Sequence, residues 1–377
     1  MKRMVGVLAC AALLLCGGGF ALAADPEPIV IGFNLEMTGQ VAAYGQAGWE
    51  GANLIKEIVK PEVLGRPVVF RLLDNKSDRV EAANAAARLI EHDKAVAIIG
   101  TTISGNMLAA GEVCEKNKVP IIGPTTTNPL TTQGKKYVFR ACFIDPFQAR
   151  IAATYCYRDL GAKTAAILSD ISNDYCVALG KFFEEQFEAL GGKVVSVTYC
   201  KAGDQDYSAQ LTEIKSKNPD VIYIPNYYTE AALAIRQARD LGITQPVFGA
   251  DGIATEEFLA IGGPAVEGVQ HTTFWHEKAA VTEIGKKYVE LYKQKFGQDK
   301  EVNVFGALTA DCYLIVMDAI RRAGSADPTA VAQAIEDTEN LEVVTGPVTI
   351  ENGDAIKPVV FRVVKNGRWE YSSIVYP

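Results

Sequence analysis

Two doubly wound α/β lobes, each a parallel sheet wrapped by helices, are predicted by three observations. Short β-branched runs alternate with amphipathic segments along most of the chain. The runs are continuously apolar rather than alternating, which marks strands buried on both faces of a parallel sheet. The rhythm also stops and restarts after Pro146, so a chain of 377 residues holds two separate βα series, as its length allows.

The first series runs PIVIGFN and helical GQAGWEGANLIKEIVK, PVVFRLLDN and SDRVEAANAAARLIEHDK, AVAIIG and SGNMLAAGEVCEKNK, then VPIIG and the loop PTTTNP. The second series opens with ARIAATYCYRDLG and continues through TAAILSD, SNDYCVALGKFFEEQFEALGG, KVVSVTYC, DYSAQLTEIKSKNP, DVIYIPN, TEAALAIRQARDLG and PVFGAD. After it, GKKYVELYKQKFG and TADCYLIVMDAIRRAG are helical patterns without a strand between them, so they must cover a sheet already made. The closing VVFRVVKNGRWEYSSIVY reads as two strands around the turn Lys365-Asn366-Gly367. A chain so ordered crosses between lobes near Pro146, Trp275 and Asn352. The expected division is 24–146 with 277–351 for one lobe and 147–276 with 352–377 for the other. Several crossings make a hinge, and a hinge makes a ligand cleft.

The N-terminus reads as a secretory leader: Lys2 and Arg3, an apolar run, then Ala21-Leu22-Ala23 before a polar stretch, with cleavage expected after Ala23. The mature protein is expected to be periplasmic, without membrane insertion and monomeric. Cleavage takes the formal net charge from −8 to about −10, a balance that argues against nucleic acid as a partner. Six cysteines remain, Cys114, Cys142, Cys156, Cys176, Cys200 and Cys312, with no C-x-x-C and no Cys/His cluster, so no metal site is expected. Buried thiols and disulfides are both open for them; Cys176 and Cys200 are the pair whose places in a βα unit face one end of the sheet. No dinucleotide, Walker, nucleophile-elbow or zincin motif is present, and the three histidines form no triad, so neither an enzyme nor a cofactor is expected.

What stands at the strand ends is chemically divided. In the first lobe Tyr44 precedes the first helix, Ser104 takes an N-cap position, and Thr125 and Thr127 lie in the uncharged loop GPTTTNP. A helix start with hydroxyls around it suits a small anion, although the same residues also make ordinary caps and turns. In the second lobe Tyr175 stands near a helix start, Tyr227 follows a strand, and Asp251 ends PVFGAD. Asp251 is the single full charge of the set. An anion-preferring lobe facing a cation-preferring one would hold a zwitterion.

GFNLEMTGQVAAYGQAGWEGA, IIGTTISG, IIGPTTTNPLTTQGKKYVFR, IRQARDLG and VFGADG, in this order, resemble the Leu/Ile/Val-binding proteins of ABC amino-acid importers, which are type I periplasmic binding proteins. The resemblance covers nearly the whole chain after the leader. It implies that Ser104, Thr125 and Thr127 take a ligand carboxylate and that Asp251 takes its ammonium with Tyr227. It also places Tyr44, Tyr175 and Phe305 as aromatics around the ligand, and implies a membrane permease as partner. Better-known members carry glutamate in place of Asp251 and a cysteine in place of Ile103. The function so implied is capture of a branched-chain or related amino acid for import. Two alternatives stay open: a same-fold binder of an aromatic acid, amide or urea, and a sensor acting through a separate receptor.

Overall fold

The computed structural model describes residues 26–377, and the expected leader lies outside them. The first sheet contains β1 (Ile29–Leu35), β2 (Glu62–Val63), β3 (Arg66–Asp74), β4 (Ala97–Gly100), β5 (Ile121–Gly123) and β6 (Val138–Arg140), in the order β2-β3-β1-β4-β5-β6. All neighbours run parallel except the short β2–β3 pair. Helices α1 (Ala42–Ile58), α2 (Arg79–Glu91) and α3 (Ser104–Asn117) connect its strands. The chain then crosses through α4 (Asp145–Thr154) into a second sheet.

That sheet contains β7 (Thr164–Asp170), β8 (Lys193–Cys200), β9 (Val221–Ile224), β10 (Val247–Gly249) and β11 (Gln270–Thr273), linked by α5 (Asp174–Ala189), α6 (Ser208–Lys217), α7 (Tyr228–Asp240) and α8 (Glu256–Gly262). A return through Phe274–Ala280 leads to α9 (Glu283–Phe296), α10 (Val304–Ala323) and α11 (Pro328–Glu336), and α9 and α10 pack on α1. Two small ladders follow, β12 (Leu341–Val343) with β13 (Gly346–Val348) and β14 (Ile350–Glu351) with β15 (Asp354–Ala355). Finally β16 (Val359–Lys365) and β17 (Arg368–Val375) form an antiparallel hairpin on the far edge of the second sheet, whose order is β17-β16-β11-β10-β9-β7-β8. Its turn residues Asn366 and Gly367 both have positive φ, as a two-residue hairpin requires.

Without the edge hairpins both sheets share one topology. The second strand lies outside the first and the third starts in the other direction, so strand order reverses between β1 and β4 and again between β7 and β9. Such reversals open a crevice at the carboxyl ends of the strands, where ligands of α/β sheets bind. The two crevices face each other.

Close helix packing fixes one wall between them. A Cβ on Gly51 of α1 would stand 2.1 Å from the carbonyl oxygen of Gly306 in α10, so only glycine permits this approach. The contact brings Tyr44, near the start of α1, within a 4.2 Å ring-centroid stack of Phe305 at the start of α10.

Three features depart from the sequence reading. Strands β6 and β11 and helices α8 and α11 were not read from the sequence; β11, Gln-His-Thr-Thr, carries no apolar run although His271, Thr272 and Thr273 are buried. Ser104 is the first residue of α3 rather than its N-cap, which is Ile103. Cys176 and Cys200 are not bonded: all six cysteines are free and buried, and the Cys200 sulfur instead accepts from Asn226 Nδ2 at 3.5 Å.

Candidate functional site

The first-lobe half is built on an uncapped helix start. Ile103 supplies no side-chain cap to α3, so the first-turn N–H groups are left for another acceptor. Beside them the Ser104 hydroxyl accepts from the Asn128 N–H at 3.2 Å and keeps its own proton to donate. Thr125 donates to the Thr102 carbonyl at 2.7 Å, whereas the Thr127 hydroxyl is buried without a partner.

Two buried charges hold these loops in shape. Arg140 lies beneath the threonine loop, donating to the carbonyls of Thr126 at 2.7 Å and Asn128 at 2.9 Å, and pairs with Asp354. Glu36 accepts from the Thr102 N–H and hydroxyl at 3.0 and 2.6 Å and from Asn106 at 2.9 Å. The hydroxyl loop thus rests on a full cation that does not itself line the cleft.

The second-lobe half is anionic. Asp251, buried at the end of β10, accepts from Gln148 Nε2 at 2.7 Å and from the Tyr175 hydroxyl at 2.9 Å. Gln148 is oriented in turn by Thr272, which donates to its Oε1 at 2.7 Å. Burial pushes the Asp251 carboxyl up to about 6. Close by, Asp145 at the start of α4 is fully buried, and neither carboxylate oxygen has an aligned hydrogen-bond partner. Burial, then repulsion from Asp251, pushes it up to about 8, which Thr127 and Gln148 offset only in part. A cation reaching Asp251 would favour the ionised form of both carboxyls.

Aromatic rings close the rest. Tyr44 stacks on Phe305, meets Tyr227 edge-on at 5.9 Å and donates its hydroxyl to the Gly252 carbonyl across the cleft. Tyr175 and Tyr227 lie parallel, 5.4 Å between centroids. Further bridges join the lobes at the mouth: Gln40 to Glu230 at 2.7 Å, the Tyr228 hydroxyl to the Gln40 carbonyl at 3.1 Å, Asn128 to the Asp174 carbonyl at 3.2 Å, and the Arg79–Asp174 ion pair.

Of the residues expected from the sequence, Tyr44, Ser104, Thr125, Tyr175, Tyr227, Asp251 and Phe305 line one small cavity with Thr102, Ile103 and Gly252. Thr127 is buried behind this lining. The cavity volume is about 10 Å³, room for about one water molecule, so the walls must part before anything the size of an amino acid enters. Asp145, Gln148, Glu36 and Arg140 were missed by sequence reasoning. The nearest signal for the first two was an acid at a helix start directly after the strand-like YVFR. Among the described residues no group of three or more His, Cys, Asp or Glu side chains is placed to hold a metal, and no helix is long and apolar enough to cross a membrane.

Comparison with known proteins agrees with this architecture. A family model described as periplasmic binding protein matches residues 28–368. The Leu/Ile/Val-binding protein homolog 3 of Brucella melitensis is 31% identical over 369 residues, covering 95% of each chain. BraC3 of Rhizobium johnstonii, another Leu/Ile/Val-binding protein, is 32% identical over 97% of each. Among solved structures, the leucine-binding protein LivK of Thermotoga maritima superposes with a TM-score of 0.90 at 46% identity, covering 93% of this chain and 99% of that one. LivJ of Streptococcus pneumoniae, solved with isoleucine, gives 0.87 at 31% identity, covering 93% and 100%. A Rhodopseudomonas palustris solute-binding protein in complex with benzoate gives 0.83 at 21% identity over 93% of this chain and 97% of that one, a likeness of fold alone. These relatives are binding proteins of transporters rather than enzymes, and on the match of family model and relatives the chain belongs to the periplasmic binding proteins, in the Leu/Ile/Val-binding family of branched-chain amino-acid ABC transporters.

Proposed function

We propose that the protein captures a free amino acid with an aliphatic side chain, branched-chain in the first instance, in the cleft between its lobes, and presents it outside the cytoplasm to a membrane permease. The observation that carries this reading is the buried carboxyl of Asp251, set across the cleft from an uncapped helix start and the Ser104 hydroxyl in the lining of one cavity. Asp251 takes the ligand ammonium, with Asp145 as a second negative neighbour and Tyr175 and Tyr227 alongside. Ser104, Thr127, the Thr125 backbone and the α3 N–H groups take the carboxylate. Tyr44 and Phe305 cover the side chain.

The lobes of this reading are 24–146 with 277–351 and 147–276 with 352–377. They part to admit ligand and close on it, because a ligand touching both favours the state in which both contacts form. The protein acts as a monomer.

Calorimetry with leucine, isoleucine and valine tests the reading, with 4-methylpentanoate and benzoate as ligands lacking the ammonium. Binding of at least one of the three amino acids and none of the plain acids is expected. Tighter binding of a plain acid than of every amino acid would overturn it in favour of the non-amino-acid alternative. Small-angle scattering should show a smaller radius of gyration on saturation with the amino acid that binds.

A further inference from the structure

Away from the cleft, the loop leading into α10 meets the edge hairpin of the second sheet. Arg362 of β16 is 3% exposed, and its Nη2 donates to both oxygens of Glu301, at 2.7 and 2.6 Å. Glu301 belongs to the loop between α9 and α10, which packs with the first lobe, so this ion pair joins the lobes at a place remote from the mouth. The strand is irregular here: the β16–β17 register slips between Phe361 and Arg362, leaving Ser372 unmatched, and such bulges re-aim a side chain. Of the other basic groups near Glu301, His276 at 3.6 Å is pushed down to about 3 by burial and the adjacent Arg362 and is neutral, while Lys293 pairs with Glu277 at 2.8 Å. Arg362 is therefore the cation that meets Glu301.

Each partner connects to one wall of the ligand site. On one side, Val302 donates its N–H to Glu277 at 2.9 Å, Asn303 caps α10 by accepting from the Phe305 N–H at 3.0 Å, and Phe305 stacks on Tyr44. On the other, the Arg362 guanidinium lies 5.0 Å over the ring of Trp369, whose indole N–H donates to the Thr255 carbonyl at 3.3 Å, four residues beyond Asp251. His271 also packs on Trp369, at 4.3 Å, and contacts the Ala250 carbonyl at 3.2 Å, immediately before Asp251.

We infer that Arg362 and Glu301 are positioning residues for the ligand site: their ion pair clasps the two lobes and sets Phe305 and Asp251 in register in the closed form. The inference rests on the proposed ligand reading for its effect on affinity, and on geometry alone for its effect on closure. Neither residue touches the cavity. Burial pushes the Glu301 carboxyl up to about 7 despite the opposing pull of Arg362, so that guanidinium is what keeps Glu301 ionised, and parting the two leaves the almost fully buried Arg362 as an uncompensated charge.

The test separates the two. Closure is read without ligand from the rate at which a cysteine pair introduced by Arg79→Cys and Asp174→Cys, residues that meet across the mouth, cross-links under mild oxidant. Affinity is read with L-leucine by calorimetry. Glu301→Gln and Arg362→Met should each slow cross-linking and weaken leucine binding about tenfold. The double variant should lose no more than either single one, and Arg362→Lys should stay within about threefold of the parent. Unchanged cross-linking in folded Glu301→Gln, or single effects that simply add in the double variant, would overturn the clasp. Should none of leucine, isoleucine and valine bind the parent protein, the ligand reading falls while the cross-linking rates still decide the clasp.

Discussion

The two lobes share a strand topology and differ in charge at the same places. Where β1 and β4 diverge stand hydroxyls, helix N–H groups and a loop braced from behind by Arg140. Around the β7/β9 divergence and the neighbouring end of β10 stand tyrosines and Asp251, with Asp145 at the crossing. Topology decides where a ligand can sit, and the loops decide what it must be. Neutral donors suffice for a carboxylate because a helix start already carries partial positive charge, whereas an ammonium offers only donors and needs an acceptor with full charge.

Removing the charged side of this contrast should have the largest effect. Asp251→Ala is expected to weaken amino-acid binding by about a hundredfold or more, since truncating one partner of a buried charge pair costs about 3–5 kcal/mol. Calorimetry measures it, and parent-like affinity would mean that the ammonium is read elsewhere. Thr127→Ala on the neutral side should cost about ten- to a hundredfold, on the scale of one hydrogen bond to a charged group, about 1.5–3 kcal/mol.

Asp145→Asn is expected to lower affinity about tenfold, at the low end of that scale. It should also raise the melting temperature of the ligand-free protein at pH 8, because a buried carboxyl whose acidity is displaced upward resists ionising. The difference should shrink as the scan is repeated at lower pH and vanish only near the ordinary aspartate value of 3.8. If the variant melts lower at pH 8, the Asp145 charge is supported by its surroundings and the electrostatic argument fails.

The smallest expected effect is on pH. With the folded carboxyls near 6 and near 8, both above the ordinary aspartate value of 3.8, the ligand-free fold binds protons that the unfolded chain does not. Their contribution to stability is therefore present on the acid side and lost as pH rises through the two values. An ammonium favours both ionised forms, so affinity should climb between pH 5 and pH 8, and binding at pH 7 should release protons. Titrations in buffers of different ionisation enthalpy would show this. Proton uptake would reverse the assignment.

Much of this was legible in the sequence because strand-end chemistry follows from pattern. Asp251, Ser104 and the threonine loop each follow a continuous apolar run, and an α/β sheet puts such positions in its crevice. Asp145 and Gln148 were not legible: β6 before them is three residues long, and their importance arises only when α4 and β11 bring Thr272, Gln148 and Asp251 together. Glu36 was equally hidden, since nothing local distinguishes a buried acid that shapes a neighbouring loop from a solvated one. Strand β11 escaped because it is polar: Thr272 and the His271 Nδ1 find hydrogen-bond partners in the interior, while the Thr273 hydroxyl is buried without one.

The six buried thiols give this fold a set of internal clocks. Burial pushes every one of them up, Cys200 to about 12, so none is a nucleophile at neutral pH while its surroundings stay closed. Each can be alkylated only as often as its own neighbourhood opens, so its labelling rate counts those openings. Cys114 reports from α3, Cys312 from α10, Cys142 from the crossing beside Asp145, Cys156 from the turn that ends α4, and Cys176 and Cys200 from α5 and β8. Timed modification followed by peptide mass analysis would rank six places in the molecule by how often they breathe, with no residue substituted.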